Sequence, residues 1–486
     1  MLIVLTFALN AGLNFALGLV IAALLGPESY GRFAIALMAA TLATTFVFDW
    51  LRLSATRYYS ETTRFERPGL RASLDAGYVA GASILAGGAA LVLALGLDIG
   101  LSRALVAAAA FAAIANGLFE FVAALLRARF HNSGYGALVL VKNALAFVGM
   151  VAIGLAFHDP ALVLAMAGVS ALAATLALRR QAADPHARLA QANRPQVALY
   201  LRYGAPIVAA NICYQAIVLV NRGAAAAHLD FAASGLLSLA TDLTIRLILV
   251  AGAALDIFLF QLAVHKMAVE GPEAAQQQVA RNSLLILAAV TLLCLGYMAD
   301  LPAFAALVVP EQFRAEFAPL SLILAPGVTL FCLGQFGLNP IAQLEGRTDF
   351  ILVAAFATAL IDLALLWLAP QPLDLGGYAA IHSVSLAAGF LLMLALTLRW
   401  RTYWPRARDV GAVLFAAAAA MAAMWPLREL QPRLLALVLV ALAGSFVYGG
   451  LLLLFDPGGL FRPALAKARL WRRDSVAASL CKGEPT

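Results

Sequence analysis

The chain has 486 residues, of which 63% are hydrophobic and only 12% charged, and its mean hydropathy is +0.90. A soluble domain carries about a quarter charged residues and under half apolar ones, and a single water-soluble core stops growing near roughly 250–300 residues. A soluble globular protein is therefore excluded, and the net charge of +7 comes from scattered arginines rather than a basic domain, so nucleic acid is not indicated.

A membrane span needs roughly 20 apolar residues. Apolar runs between charged, proline or glycine breaks predict fourteen of them. The first six cover 2–25, 33–50, 74–97, 103–125, 137–157 and 160–178. The next six cover 203–222, 235–260, 282–302, 317–337, 350–369 and 376–398, and a last pair covers 410–427 and 433–455. Only His158-Asp159-Pro160 separates the fifth span from the sixth, and Pro302 to Phe317 has room for a short interfacial helix. With the N-terminus inside, roughly 25 Lys and Arg fall on inner loops and the tail against about 6 outside, which places both termini in the cytoplasm. The richest inner segments are 52–72 and 179–202, and the second has the composition of a linker. A faint internal repeat is visible: Glu28-Ser29-Tyr30-Gly31 opens the second span and Ala232-Ala233-Ser234-Gly235 opens the eighth, with glycine in the matching place.

Every predicted outer loop is short, so none can carry the acid/base groups of a membrane glycosyltransferase or polymerase. The chain contains no GxxxxGK[ST], HExxH or GxSxG. Its four cysteines form neither a CxxC nor a Cys/His cluster, so no disulfide framework, metal or other cofactor is indicated. What remains is chemistry inside the spans, which points to transport rather than catalysis.

A charge at bilayer depth costs at least about 2.5–3.5 kcal/mol on insertion scales, so each one needs a reason. Asp242 and Arg246 stand four apart in the eighth span. They either neutralise each other inside the bundle or present an arginine, tuned by its acid, to a central cavity. Lys142 and Glu120 lie at similar depth in the fifth and fourth spans. Pairing across helices, a cavity lysine and snorkelling to headgroups are all open. Asp49-Trp50-Leu51-Arg52 ends the second span, with Trp50 read as an interfacial anchor and Arg52 as an anchor or a vestibule residue. Asn221-Arg222 closes the seventh span, as a cavity cation or as an interfacial arginine beside packing amides. Asp362 and His382 are single ionisable groups in the eleventh and twelfth spans, available for a coupling proton or for packing hydrogen bonds.

Several segments resemble the Wzx-type polysaccharide flippases of the multidrug/oligosaccharidyl-lipid/polysaccharide exporter superfamily. They are Leu24-Leu25-Gly26-Pro27-Glu28-Ser29-Tyr30-Gly31-Arg32-Phe33, Tyr203-Gly204-Ala205-Pro206, Asn221-Arg222 and Gly235-Leu236-Leu237-Ser238-Leu239-Ala240. Pro310-Glu311-Gln312-Phe313 with Ala318-Pro319-Leu320, and Gln343-Leu344-Glu345-Gly346-Arg347, extend the resemblance to about residue 400. It implies an all-α polytopic fold with two six-helix lobes, 1–190 and 195–400, around a central cavity, here followed by a helix pair at 405–456 and a basic tail at 457–486. It also implies a bacterial inner-membrane flippase that moves a polyprenyl-pyrophosphate-linked oligosaccharide for surface polysaccharide or lipopolysaccharide synthesis, beside a polymerase and export machinery. The family's cavity is basic, which suits Arg52, Lys142, Arg222 and Arg246, with Asp49, Glu120, Asp242, Asp362 and His382 as tuning or coupling groups. The chain starts almost at its first span, without the family's usual polar leader, which points to a start further upstream. The alternatives are an ion-coupled exporter of small amphipathic molecules and a non-transporting scaffold for an assembly complex.

Overall fold

The computed structural model describes residues 2–462 apart from 97–99 and 371–372, with side chains from residue 12 onward other than Ile257. The basic tail with Lys467, Arg469, Arg472, Arg473, Cys481 and Lys482 lies outside the described residues. The first eight helices are α1 Leu2–Tyr58, α2 Glu61–Glu66, α3 Pro68–Ala94, α4 Arg103–Ala128, α5 Asn132–Phe157, α6 Pro160–Ala177, α7 Arg179–Ala182 and α8 Arg194–His228. They are followed by α9 Phe231–Val269, α10 Pro272–Val308, α11 Arg314–Leu333, α12 Asn339–Leu344, α13 Asp349–Leu368, α14 Leu375–Thr397, α15 Ala407–Met424 and α16 Arg433–Phe455. The described residues contain no strand. The fold is all-α and polytopic, with 13 helical segments long and apolar enough to cross a membrane among the described residues.

The first of these segments holds two spans. A helix of 57 residues would be about 85 Å long, far more than the roughly 30 Å of a hydrocarbon core. It breaks at Gly26, whose φ of 72° and ψ of 169° are non-helical, directly before Pro27. A side chain at Gly26 would be strained in that conformation, and the following proline has no N–H to continue the ladder. The fifth and sixth spans part where the sequence places the break. His158 caps α5 in a left-handed conformation, Asp159 accepts the N–H groups of Ala161 and Leu162 at 2.7 and 3.2 Å, and Pro160 opens α6. Between α10 and α11 a 3-10 turn over Glu311–Phe313 fills the expected interfacial position.

Contacts divide the described chain into two units: one of 1–243, 309–320 and 351–385, the other of 244–308, 321–350 and 386 onward. In the first unit, the 52–72 and 179–202 segments are bound to each other. Arg64 Nη2 donates to the Ala183 carbonyl at 2.8 Å, and Arg129 bridges the two segments, donating to Glu61 Oε2 at 2.6 Å and to the Gln181 carbonyl at 3.0 Å. Arg71 reaches both Asp75, at 2.8 Å, and the Ala182 carbonyl, at 3.1 Å. Tyr59 donates to Asp184 at 3.1 Å. These arginine-rich loops therefore share one end of the unit, as alternation of the spans requires. Trp50 is only 9% exposed and sits in a core cluster with Phe48, Leu51, Phe121 and Tyr200. The expected interfacial anchor is instead a packing residue: α3 and α8 close around it at Gly77 and Gly204, where a Cβ would come within 2.6 and 2.8 Å of Trp50 atoms.

In the second unit, α10, α15 and α16 bury a shared core of Leu284, Ala288, Val413, Ala420, Val440 and Tyr448. The Tyr448 hydroxyl donates to the Ala288 carbonyl at 2.9 Å, which satisfies the one polar atom that this ring brings into apolar surroundings.

Candidate functional site

Four of the ionisable residues singled out from the sequence come together in the first unit, where α8, α9, α13 and α14 supply one side chain or more each. Arg222, 3% exposed, forms an ion pair with Asp242 of α9. The acid that helical spacing offers to Arg246 is thus the partner of an arginine on a neighbouring helix. The next residue, Asn221, donates from Nδ2 to the Ile217 carbonyl at 2.9 Å and to Asp362 Oδ2 of α13 at 2.8 Å. Asp362 is fully buried, and its second carboxylate oxygen has no hydrogen-bond partner. His382 of α14 is 3% exposed, and neither ring nitrogen is satisfied. Asn221, Arg222, Thr241 and His382 border one small cavity of about 10 Å³, roughly the space of a single water. The Ser234 hydroxyl donates to the Arg222 carbonyl at 2.9 Å, tying the start of α9 to the end of α8.

Such a cluster is expensive. Breaking a buried ion pair by removing one member costs about 3–5 kcal/mol, and a buried unsatisfied polar group about 1–3 kcal/mol. Packing alone gives no reason to retain a carboxylate and an imidazole with open valences inside a bundle. The arrangement can exchange a proton or hold a small cation or water between Asp362, Asn221 and His382 while Arg222 and Asp242 neutralise each other.

Arg52 and Lys142 make no hydrogen bond or ion pair with this cluster among the described residues. Arg52 is bound to Asp49 at 3.0 Å, one helical turn away on α1, and keeps a third of its side chain exposed. Lys142 makes no ion pair or hydrogen bond to a carboxylate among the described residues, and its ammonium lies 5.4 Å from the centre of the Phe119 ring. Of the three readings left open for Lys142, the structure shows electrostatic contact with Glu120 without an ion pair, beside a cation–π contact from the neighbouring residue of α4. Arg246 belongs to the second unit and its side chain is exposed.

The far end of the first unit is closed by a contact that the sequence hinted at only as a repeat. Gly31 of α1 and Gly235 of α9 meet backbone to backbone: a Cβ on Gly31 would fall 1.9 Å from the Phe231 carbonyl oxygen, and one on Gly235 would fall 2.0 Å from that of Pro27. Around them Arg32 lies over the Phe231 ring at 4.5 Å, Tyr30 meets Phe313 edge-on at 5.7 Å, and Gln312 donates to the Ala23 carbonyl at 3.0 Å. The two glycines that matched in sequence are each other's neighbours.

No protein-family model matches the chain, and no curated protein sequence matches it significantly. Solved structures do. The chain superposes on the lipid II flippase MurJ in an inward closed conformation with a TM-score of 0.69, at 11% identity, over 93% of this chain and 98% of that one. A multidrug-resistance MATE transporter of the MOP superfamily, in an inward-facing conformation, gives a TM-score of 0.57 at 15% identity, over 84% and 96%. A MATE protein in complex with MaD3S gives 0.53 at 16% identity, over 84% and 94%. The chain therefore has the fold shared by these exporters, along nearly its whole length.

Proposed function

We propose that the protein is a flippase that carries an anionic, polyprenyl-pyrophosphate-linked oligosaccharide across the bacterial inner membrane by alternating access. The observation that carries this is Arg246. It lies 15 residues into α9, about 22 Å along the helix, and the residue is exposed. An arginine at that depth is tolerated where it faces water or an anion rather than acyl chains. Its planar fork takes two phosphate oxygens at once, which matches a pyrophosphate. Arg52 and Lys142 are further cations offered to the cargo, and two six-helix lobes at 1–190 and 195–400 are proposed to alternate in access. Asp362 and His382, in their shared buried setting with Asn221, are the groups proposed to take up the coupling ion. The likeness to a lipid II flippase supports the cargo class. Both termini are assigned to the cytoplasm from the arginine distribution.

The MATE likeness favours one other function, export of a small amphipathic cation. That would need a net acidic path, whereas the acids here are matched or outnumbered by arginines. Purified protein in vesicles separates the two. Fluorescent lipid-linked oligosaccharide should become accessible on the trans side at a rate above protein-free vesicles, with no uptake of a cationic dye. Dye uptake without lipid translocation would overturn the flippase assignment, and translocation of neither would leave a scaffold.

A further inference from the structure

The second unit contains a site of a different kind. A cleft of about 670 Å³ opens where the first part of α10, the turn at Leu398–Tyr403, the start of α15 and the end of α16 converge. Three arginines line it: Arg281 from α10, Arg406 at the N-cap of α15 and Arg408 in its first turn. None of the three guanidinium groups donates to a carboxylate or a carbonyl among the described residues. The acids in the wall do not neutralise them. Asp456 accepts the backbone N–H groups of Phe461 and Arg462 at 2.9 and 3.2 Å, and Asp409 stands alone against three cations. The indole N–H of Trp404, also in the wall, is buried with no acceptor. Three uncommitted guanidinium forks and an N–H donor form a set that an anion with several oxygens would satisfy, and no group among the described residues does so.

The cleft is also open to the apolar side. Phe455 lines it and is 47% exposed. Its ring meets Phe415 edge-on at 5.9 Å, and Leu414, Phe415 and Leu454 continue an exposed apolar ridge along α15 and α16. Charge at the helix ends merging into an uncovered apolar helix face fits an amphipathic anion better than a free one. Basic pockets between spans at the inner membrane face bind the headgroups of acidic lipids. We propose that this cleft holds the phosphate headgroup of an anionic glycerophospholipid, with Arg281, Arg406 and Arg408 on the phosphate oxygens and the acyl chains against Phe455 and Phe415. The lipid would fix α15 and α16 to α10 at the inner surface, whichever cargo the protein carries.

The test is lipid retention by the full-length protein. Detergent-solubilised protein is exchanged into phosphatidylglycerol or phosphatidylcholine and weighed intact by native mass spectrometry, beside the triple variant R281Q/R406Q/R408Q. Wild type should keep phosphatidylglycerol at least about tenfold better than phosphatidylcholine, and the variant should lose that preference while its thermal midpoint in zwitterionic detergent stays unchanged. Millimolar inorganic phosphate should not displace the lipid. Should the triple variant fail to fold, the single variant R408Q reports the same loss in part. Equal phosphatidylglycerol retention by wild type and variant would overturn the proposal. Displacement by inorganic phosphate would overturn the lipid assignment and leave a free-phosphate site.

Discussion

Substituting alanine for Gly31 perturbs the structure at a point where nothing can move aside cheaply. The added Cβ would lie 1.9 Å from the Phe231 carbonyl oxygen, 2.9 Å from the Gly235 nitrogen and 3.0 Å from the Phe231 carbonyl carbon. All three are backbone atoms, so no rotamer change relieves the overlap, and restoring van der Waals distance takes a shift of about 1.5 Å between α1 and α9. Overpacking of this kind costs about 1–3 kcal/mol. Alanine also gains up to about 1 kcal/mol of helix propensity over glycine, but that gain is the same whether the two helices touch or part. It therefore cancels from the equilibrium between those states, and the full overpacking term remains. A population with α1 and α9 separated should rise by roughly 5–150-fold. Ser234, buried beside this contact, gives the assay when changed to cysteine in a background without the native cysteines. Its labelling by a membrane-impermeant maleimide in vesicles should accelerate by that factor in Gly31→Ala. The Gly235→Ala change should act alike and add little to the first, because both open one contact. Unchanged labelling in both variants would refute the view that this backbone contact holds the end of the first unit closed.

Arg222→Leu should lower stability by about 3–5 kcal/mol, because it leaves Asp242 uncompensated. The double change Arg222→Leu/Asp242→Leu should melt closer to wild type than either single variant in the same detergent. Asn221→Ala removes a hydrogen-bond donor from Asp362 and should cost about 1–3 kcal/mol. Combining it with Asp362→Leu should recover most of that loss in a thermal melt. In the loop region, hydrogen bonds from Arg129 and then Arg64 hold the Glu61 carboxyl below its ordinary value. A depressed carboxyl stabilises the folded loop above its unfolded pKa of about 4.3, and that contribution disappears as the pH falls through the lowered one. Hydrogen exchange over 61–66 should therefore gain an acid-induced opening below about pH 4 beyond the intrinsic pH effect, and Glu61→Gln should show the open behaviour already at pH 7.

Most of the span pattern was legible in the sequence because lipid leaves a chain few options: apolar runs of sufficient length must be helices. The breaks at Gly26-Pro27 and His158-Asp159-Pro160 could be read because proline and left-handed residues end helices by local sterics. Partners were a different matter. The i, i+4 rule offered Asp242 to Arg246, yet the pair that forms joins α8 to α9, and no local spacing encodes an ion pair between residues 20 apart. Trp50 was misplaced for the same reason. Its depth resembles that of an interfacial anchor, while its burial depends on Gly77 and Gly204 making room on two other helices. Arg64, Arg71 and Arg129 were visible only as a topological signal, although the structure uses them to knit the basic loops together. The glycines that matched between the two segments mark a contact in the structure.

The central claim is that an exposed arginine inside a span meets the anionic head of a lipid-linked glycan. Translocation of fluorescent lipid-linked oligosaccharide in vesicles, with wild type, Arg246→Lys and Arg246→Ala reconstituted to equal levels, tests it most directly. Arg246→Ala should abolish translocation while inserting normally, and Arg246→Lys should keep a reduced rate, since it retains the charge without the bidentate fork. Wild-type translocation by Arg246→Ala would contradict the account.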